Sequence, residues 1–369
     1  MRFAALQPTC LGWAVARDFS IDRTFLQNRW RKAWRWGRVV HTVIVGAGLM
    51  GRYHARAAAR AGACVVAIVD RDERAASELA ARFPGAVAQT DPRHALAAVK
   101  ADVVHICTPP DSHVSLARLA AEAGCHALIE KPIATTAQDT RRIFEDFSRA
   151  RRLVCPTHQY AFQRSVRAAA AAFPRMAPVR QIAVEICSAG GHNDASHLDR
   201  LAADILPHPL AILQKLVPGA DLASLDWSCL RTGAGEWLIT APLLETALSI
   251  TMSMNGRPTR FVTRVIADRG SLELDHFHDF CIELSADVSK ARKIALPFVR
   301  GSLGLAAASR NLVARAARAE FAYPGLRALV SEFYAAVRNP GNVPLPISPG
   351  EAINAAEARD LLIALAGYD

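Results

Sequence analysis

The sequence predicts an α/β fold built on a doubly wound parallel sheet. Two observations predict it. Between Val39 and Cys155, short β-branched runs alternate with helix-length segments, and a Gly-x-Gly-x-x-Gly turn joins the first run to the first helix. Val39–Val45 is a β-branched run, the pattern of a strand buried on both faces. Tyr53–Ala61 is an Ala-rich helix, and Cys64–Val69 is a second strand ending in Asp70. Arg74–Arg82 reads as a helix, and Pro92–Val99 as another behind the N-cap candidate Asp91. Val103–Ile106 is a strand, Val114–Ala123 a helix and Ala127–Ile129 a strand. Thr136-Ala137-Gln138-Asp139 has the form of a capping box opening a helix to Ala150, and Leu153–Cys155 is a further strand.

Composition bounds the rest. The chain has 369 residues, 51% hydrophobic and 21% charged. That excludes a disordered chain and a small disulfide-stapled module, and the length suits two domains. No stretch reaches the roughly 18 uninterrupted apolar residues of a membrane span. The eight cysteines include no C-x-x-C pair, so they read as reduced core thiols of a cytoplasmic protein. The net charge of +10 is uneven, because residues 1–40 carry eight Arg and Lys against Asp18 and Asp22. The remainder lacks the field of a nucleic-acid binder. Residues 1–38, with Trp30, Trp34 and Trp36 among Arg31, Lys32, Arg35 and Arg38, read as a poorly ordered basic extension. An arm for an anionic surface is the alternative. Neither nucleic acid nor membrane is expected as a partner of the protein.

The glycine turn carries chemistry because of its context. It follows a strand, opens a helix, and has an acid at the end of the next strand. Gly46 permits the tight turn, Gly48 leaves the backbone open to a pyrophosphate, and Gly51 allows close helix–strand packing. The N–H groups of Leu49, Met50 and Gly51 then open the helix toward the phosphates of a dinucleotide. Asp70 is placed to accept from the adenosine ribose hydroxyls. Its charge opposes a 2′-phosphate and favours NAD over NADP, whereas Arg71 beside it could pair with that phosphate. Thr108-Pro109-Pro110-Asp111-Ser112-His113 and Glu130-Lys131-Pro132 follow strand ends, where ligands of open α/β sheets lie. Thr108, Pro109, His113, Glu130 and Lys131 are therefore cofactor-side candidates. The chain has six lysines among 44 basic residues, so a lysine at 131 is conspicuous. A compact ammonium suits proton handling, and an ordinary solvated lysine is the other reading.

These residues resemble the Gfo/Idh/MocA oxidoreductase family. The likeness rests on V-I-V-G-A-G-L-M-G (43–51), the strand ending in Asp70, C-T-P-P-D-S-H (107–113) and E-K-P (130–132), with D-I-L-P-H (204–208) further on. It implies an N-terminal Rossmann domain and a C-terminal α/β domain with a large open, mainly antiparallel sheet. It also implies an NAD(P)-dependent dehydrogenase or reductase of sugars, nucleotide sugars, inositols or similar polyols, and self-association as a homodimer or homotetramer through that sheet. The expected layout is an extension (1–38), a dinucleotide domain (39–156), a substrate and oligomerisation domain (157–347), and a last helix (348–369) returning to the nucleotide domain. Val179–Ala189, Leu238–Ala241, Leu248–Met254, Arg260–Ala267 and Leu272–Leu274 read as strands of the second half. Leu210–Leu216, Ala306–Ala317, Leu326–Val337 and Pro349–Ala366 read as its helices.

The resemblance implies that Asp204 and His208 face the nicotinamide and substrate. Read alone, Asp204 is a helix N-cap, because Pro207 belongs in a first turn. In the implied chemistry His208 is the general base, Lys131 stabilises the developing alkoxide, and Asp204 orients substrate or His208. His158 and Tyr160 are candidates for reaching the substrate, or a domain hinge. His192, Asn193, Asp194 and His197 line the substrate pocket or form a polar surface loop. Asp275-His276-Phe277-His278-Asp279 reads as a solvated strand edge rather than a metal site, and no metal is expected. Two other functions stay open on the same fold: a non-catalytic NAD-binding sensor, and an NAD-assisted glycoside hydrolase, faintly echoed by Gly190-Gly191-His192.

Overall fold

The computed structural model describes residues 38–188, 195–286, 289–320 and 322–367. The basic extension, His192, Asn193 and Asp194 lie outside the described residues. The described residues form two compact units: one runs through Thr157 and takes in Leu329–Pro349, and the other comprises His158–Ala328 and the residues from Gly350 on.

In the first unit, β1 (His41–Val45), β2 (Cys64–Val69), β3 (Val87–Gln89), β4 (Val103–Ile106), β5 (His126–Ile129) and β6 (Val154–Pro156) form one sheet. Its order is β3-β2-β1-β4-β5-β6, and every pairing is parallel. The order runs outward from β1 in both directions, as the alternation of elements predicts. The edge strand β3 went unpredicted because it is three residues long, with Val87 exposed. The helices are α1 (Leu49–Arg60), α2 (Glu73–Ala80), α3 (Pro92–Ala98), α4 (His113–Glu122) and α5 (Ala137–Arg149). The starts of α3 and α5 are fixed by local hydrogen bonds: Asp91 accepts from Arg93 N–H, and Thr136 Oγ1 accepts from Asp139 N–H. A second bond at that cap runs from the Thr136 hydroxyl to the Asp139 carboxylate at 3.0 Å.

The segment that completes this unit is α10 (Leu326–Arg338), whose Phe333, Tyr334 and Ala336 are fully buried. Tyr334 Oη lies 2.9 Å from Thr42 Oγ1 on β1. The sequence reading gave the returning role to the last helix. That helix, α11 (Pro349–Leu365), instead puts Ala358 and Leu362 into the core of the second unit, followed there by Ala366. Alanine-rich α11 carries no bulky stripe to show which core it serves, whereas Phe333-Tyr334 marks α10.

The second unit holds α6 (Arg164–Met176), β7 (Val179–Cys187), α7 (Ala195–Ile205), α8 (Pro207–Leu216), β8 (Ser228–Gly233), β9 (Glu236–Leu243), β10 (Thr246–Ser253), β11 (Arg260–Ala267), β12 (Gly270–Asp275) and β13 (Phe280–Ser285). The strands form one sheet, β13-β12-β11-β7-β10-β9-β8, antiparallel except for β7 with β10. Alternate residues Ile182, Val184 and Ile186 of β7 enter the core. Asp199 on α7 is buried among donors: Arg231 Nη2 at 2.7 Å, Gly235 N–H at 2.9 Å and Trp237 Nε1 at 3.1 Å. Burial alone would raise its pKa; these bonds and the Arg231 charge outweigh it and lower it. A long helix, α9 (Lys290–Ala317), follows β13. Only Ala306–Ala317 of it is expected from the sequence, because Pro297, Gly301 and Gly304 interrupt the helical pattern. Among the described residues, no helix is long and apolar enough to cross a membrane. The seven described cysteines are all free thiols.

Candidate active site

The glycine turn is shaped for a phosphate group. Gly46 adopts φ +99°, and a Cβ there would stand 2.6 Å from the Cys107 carbonyl oxygen, so only glycine fits. A Cβ at Gly51 would overlap the Gly46 carbonyl oxygen. Gly48 differs: its Cβ would meet nothing within 4 Å. That open space lies at the N-terminus of α1, which has no side-chain cap and no acidic residue in its first turn. Backbone N–H groups and the helix dipole there are open to an anionic group such as a phosphate. Leu49 is largely exposed beside it, Met50 is half-buried, and Gly51 is buried. Asp70 is fixed toward the turn: Oδ2 accepts from Ala47 N–H at 2.6 Å and Oδ1 from Asp72 N–H at 3.0 Å. Each oxygen keeps a lone pair for a further donor. Arg71 is exposed. Thr157 Oγ1, just past β6, is buried with no hydrogen-bond partner among the described residues. An open cradle, a fixed acid and an orphaned hydroxyl at strand ends fit a dinucleotide.

The two loops beyond β4 and β5 are braced together. His113 is fully buried; Nδ1 lies 2.9 Å from the Pro132 carbonyl and Nε2 lies 2.8 Å from the Thr108 carbonyl. Both partners only accept, so both bonds form when the ring carries two N–H groups. His113 thus joins the Thr108 loop to the Lys131 loop from beneath. Ser112 Oγ donates to the Pro109 carbonyl at 2.8 Å, which leaves the Thr108 hydroxyl as donor to Ser112 at 2.7 Å. Pro109 is exposed and Lys131 is half-buried.

Beneath Lys131 runs a buried polar chain that sequence reasoning missed. Glu130 Oε2 accepts from Lys131 N–H at 3.2 Å, and Oε1 lies 2.8 Å from His54 Nε2. His54 Nδ1 meets His105 Nδ1 at 2.9 Å, His105 Nε2 meets Tyr334 Oη at 2.9 Å, and Tyr334 meets Thr42. Burial, with the charge of His54 second, holds His105 well below the usual histidine range, so it is neutral. Burial pushes the Tyr334 hydroxyl up. With His54 also neutral and Glu130 a carboxylate, the hydrogens run Thr42 to Tyr334 to His105 to His54 to Glu130. With His54 protonated, the links beyond His54 reverse and every atom is still satisfied. His54 could have been found by reading three residues past Gly51. His105 and Tyr334 carry no local signal.

The second unit carries the other candidates. Pro207 opens α8, and His208 in that first turn is buried; Asp204 is exposed in the last turn of α7. Asp204 therefore follows nine residues of the same helix rather than starting one, which corrects its reading as an N-cap. The Tyr160 ring meets the His208 ring edge-on at 4.7 Å and Phe261 at 4.9 Å. Burial, then Tyr323, pushes the Tyr160 hydroxyl up to about 12. His158 is buried, and His197 is half-buried on α7.

His276 corrects the solvated-edge reading of Asp275–Asp279, for it is fully buried. Its Nδ1–H donates to Gln163 Oε1 at 2.9 Å, and Nε2 accepts from Thr263 Oγ1 at 2.7 Å. Burial pushes it down to about 3. Asp279 is also buried and accepts from Ser165 N–H and Oγ, both at 2.9 Å, capping α6. His278 remains exposed. Among the described residues, no group of three or more His, Cys, Asp or Glu could hold a metal ion.

Residues 40–158 match the family model GFO_IDH_MocA, described as an oxidoreductase family with an NAD-binding Rossmann fold. Inositol 2-dehydrogenase 4 of Saccharopolyspora erythraea is 37% identical over 120 residues, which is 32% of this chain and 36% of that protein. D-glucoside 3-dehydrogenase of Escherichia coli is 39% identical over 79 residues, 21% of this chain and 22% of that protein. The chain thus aligns with about a third or less of these relatives' length. The WlbA dehydrogenase from Bordetella pertussis, solved with NADH and UDP-GlcNAcA, superposes with TM-score 0.69 at 17% identity, covering 89% of this chain and 96% of that one. That likeness extends the shared fold to the second unit.

Proposed function

We propose that this chain, which belongs to the Gfo/Idh/MocA oxidoreductase family through residues 40–158, is an NAD(H)-dependent dehydrogenase or reductase acting on a secondary alcohol or ketone of a sugar-like substrate. The observation that carries the reading is the open cradle at Gly48, between two glycines that tolerate no side chain. NAD, when bound, supplies the two-electron redox chemistry. Gly48, Leu49, Met50 and Gly51 hold the pyrophosphate through N–H groups, and Asp70 takes the ribose hydroxyls. The Asp70 carboxylate disfavours a 2′-phosphate, which supports NAD over NADP. Thr108, Pro109, Glu130 and Lys131 line the cofactor side, with His113 bracing their loops.

Lys131 donates to the substrate oxygen and stabilises charge developing there. His208 takes the hydroxyl proton, an imidazole being suited to that exchange near neutral pH. Asp204 orients the substrate or the imidazole, while His158, Tyr160, His192 and Asn193 contact the substrate. Inositol, glucoside and nucleotide-sugar names among the relatives and neighbours support a polyol or sugar substrate. The half-exposed alternate residues of β7, such as Ala183 and Glu185, support self-association through the sheet's open face as a homodimer or homotetramer. Free thiols throughout the described residues support a reducing, cytoplasmic setting.

The test is a panel of inositols, sugars and nucleotide sugars with NAD, followed by NADH absorbance. Turnover on at least one carbohydrate is expected. NAD binding by calorimetry without turnover on any of them favours the non-catalytic sensor. Glycoside cleavage without net NADH favours the hydrolase.

A further inference from the structure

Helix α9 turns its bulky apolar residues outward. An amphipathic helix ordinarily turns its apolar stripe to the protein. Here Ile294, Phe298, Leu305 and Leu312 are 77%, 77%, 72% and 69% exposed. Spacings of four and seven put them on one stripe. The inward face carries only small or half-buried apolar residues such as Ala295, Val299 and Ala314, and polar groups also tie the helix to its sheet. Arg300 Nε donates to Glu273 Oε2 at 2.9 Å, Asn311 Nδ2 donates to the His278 carbonyl, and Arg315 Nη1 reaches the Phe277 and His278 carbonyls at 3.3 Å.

The helix carries charge of one sign only. Lys290, Arg292, Lys293, Arg300, Arg310 and Arg315 are answered by no Asp or Glu between 290 and 319. Lys290 heads the apolar stripe one turn before Ile294, and Lys293 flanks it; both are exposed. A second copy of this helix is a poor occupant, because basic flanks would face basic flanks. The stripe is also discontinuous for helix pairing: Gly301 and Ala308 hold the positions between its bulky residues, where knobs-into-holes packing needs side chains. A fluid apolar layer bounded by phosphates matches both features.

We propose that α9 docks the protein on an anionic lipid surface. The Ile294–Leu312 stripe lies in the headgroup boundary, and Lys290 and Lys293 face lipid phosphates. This departs from the expectation of no membrane partner, because an exposed apolar stripe beside lysines can lie on a bilayer without spanning it. It is independent of the proposed redox activity.

The test is co-sedimentation of the full chain with vesicles of phosphatidylcholine alone or mixed with phosphatidylglycerol. Binding at least tenfold tighter to the anionic vesicles, weakened by high salt, is expected. Phe298→Glu with Leu305→Glu should melt like the parent, because both side chains are exposed, and should lose vesicle binding. Lys290→Gln with Lys293→Gln should keep the fold and lose most of the preference for anionic lipid. Absence of vesicle binding by the parent overturns the proposal. Undiminished binding by the Glu variant overturns it too and assigns the contact elsewhere, the basic extension included. A parent that ignores vesicles but forms an oligomer dissolved by the Glu variant assigns the stripe to a second copy.

Discussion

The two units bury their polar groups by opposite logics. In the first, the backbone dictates residue type: Gly46 must adopt φ +99°, and a side chain at Gly51 would strike the turn itself. In the second, partners are brought together from afar: Gln163 and His276 are 113 positions apart, and Ser165 and Asp279 are 114. Local geometric necessity leaves a mark in a sequence, and long-range pairing does not. The family match accordingly stops at residue 158, while likeness to solved structures continues over 89% of the chain at 17% identity.

The largest expected effect tests whether one reaction needs both units. Lys131→Met and His208→Asn should each keep most NAD affinity, and His208→Asn should lose about 10²–10⁴-fold in kcat. On the proposed mechanism the combined loss should be less than additive, as expected of two groups acting on one transition state. Calorimetry and steady-state kinetics check this. Unchanged turnover in His208→Asn removes the second unit from the chemistry.

Acid sharpens the comparison next. His276 titrates at about 3 in the fold against 6.5 for the ordinary side chain. The unfolded chain therefore binds more protons between those values. Stability contributed by neutral His276 is complete above about pH 6.5 and is lost as pH falls toward 3, by on the order of a few kcal/mol. The first unit shares the sign, because burial pushes His126 down to about 4. Urea unfolding at several pH values should show this loss, and His276→Asn should flatten it. An unaltered acid slope in that variant would assign the effect to the first unit.

The cradle gives a smaller and local test. NAD at a hundredfold excess over its Kd should stabilise the folded protein by roughly 2.7 kcal/mol through mass action. Gly48→Val places methyl groups in space that is empty in the fold, so it should spare the apo protein while removing that shift. A full NAD-dependent melting shift in Gly48→Val would place the dinucleotide elsewhere.

Legibility follows the same division. The parallel sheet, its helices and the glycine turn were readable because β-branched runs, caps and glycines are local signals. The antiparallel second unit was readable only in part. Strands β8 and β13 and helices α6 and α7 escaped, since half-exposed strands and alanine-rich helices lack a decisive period. Lys131 and His208 were named from motif and resemblance. His105, Tyr334 and His276 act through partners that no spacing reveals.

The smallest expected effects probe a place where the first unit behaves like the second: the buried chain from Thr42 to Glu130. Tyr334→Phe strands two buried atoms, His105 Nε2 and Thr42 Oγ1, and should cost roughly 1–3 kcal/mol. Thr42→Val leaves Tyr334 still bonded to His105 and should cost about 1 kcal/mol. The double variant should cost less than the sum, because the chain polarises as a unit, and a double-mutant cycle in urea isolates that coupling. Since Glu130 accepts from the Lys131 N–H, kcat should fall modestly in Tyr334→Phe with the KM for NAD unchanged. Strict additivity would show that the contacts stabilise independently. The first unit would then owe its site to backbone geometry alone, and the contrast with the second would be complete.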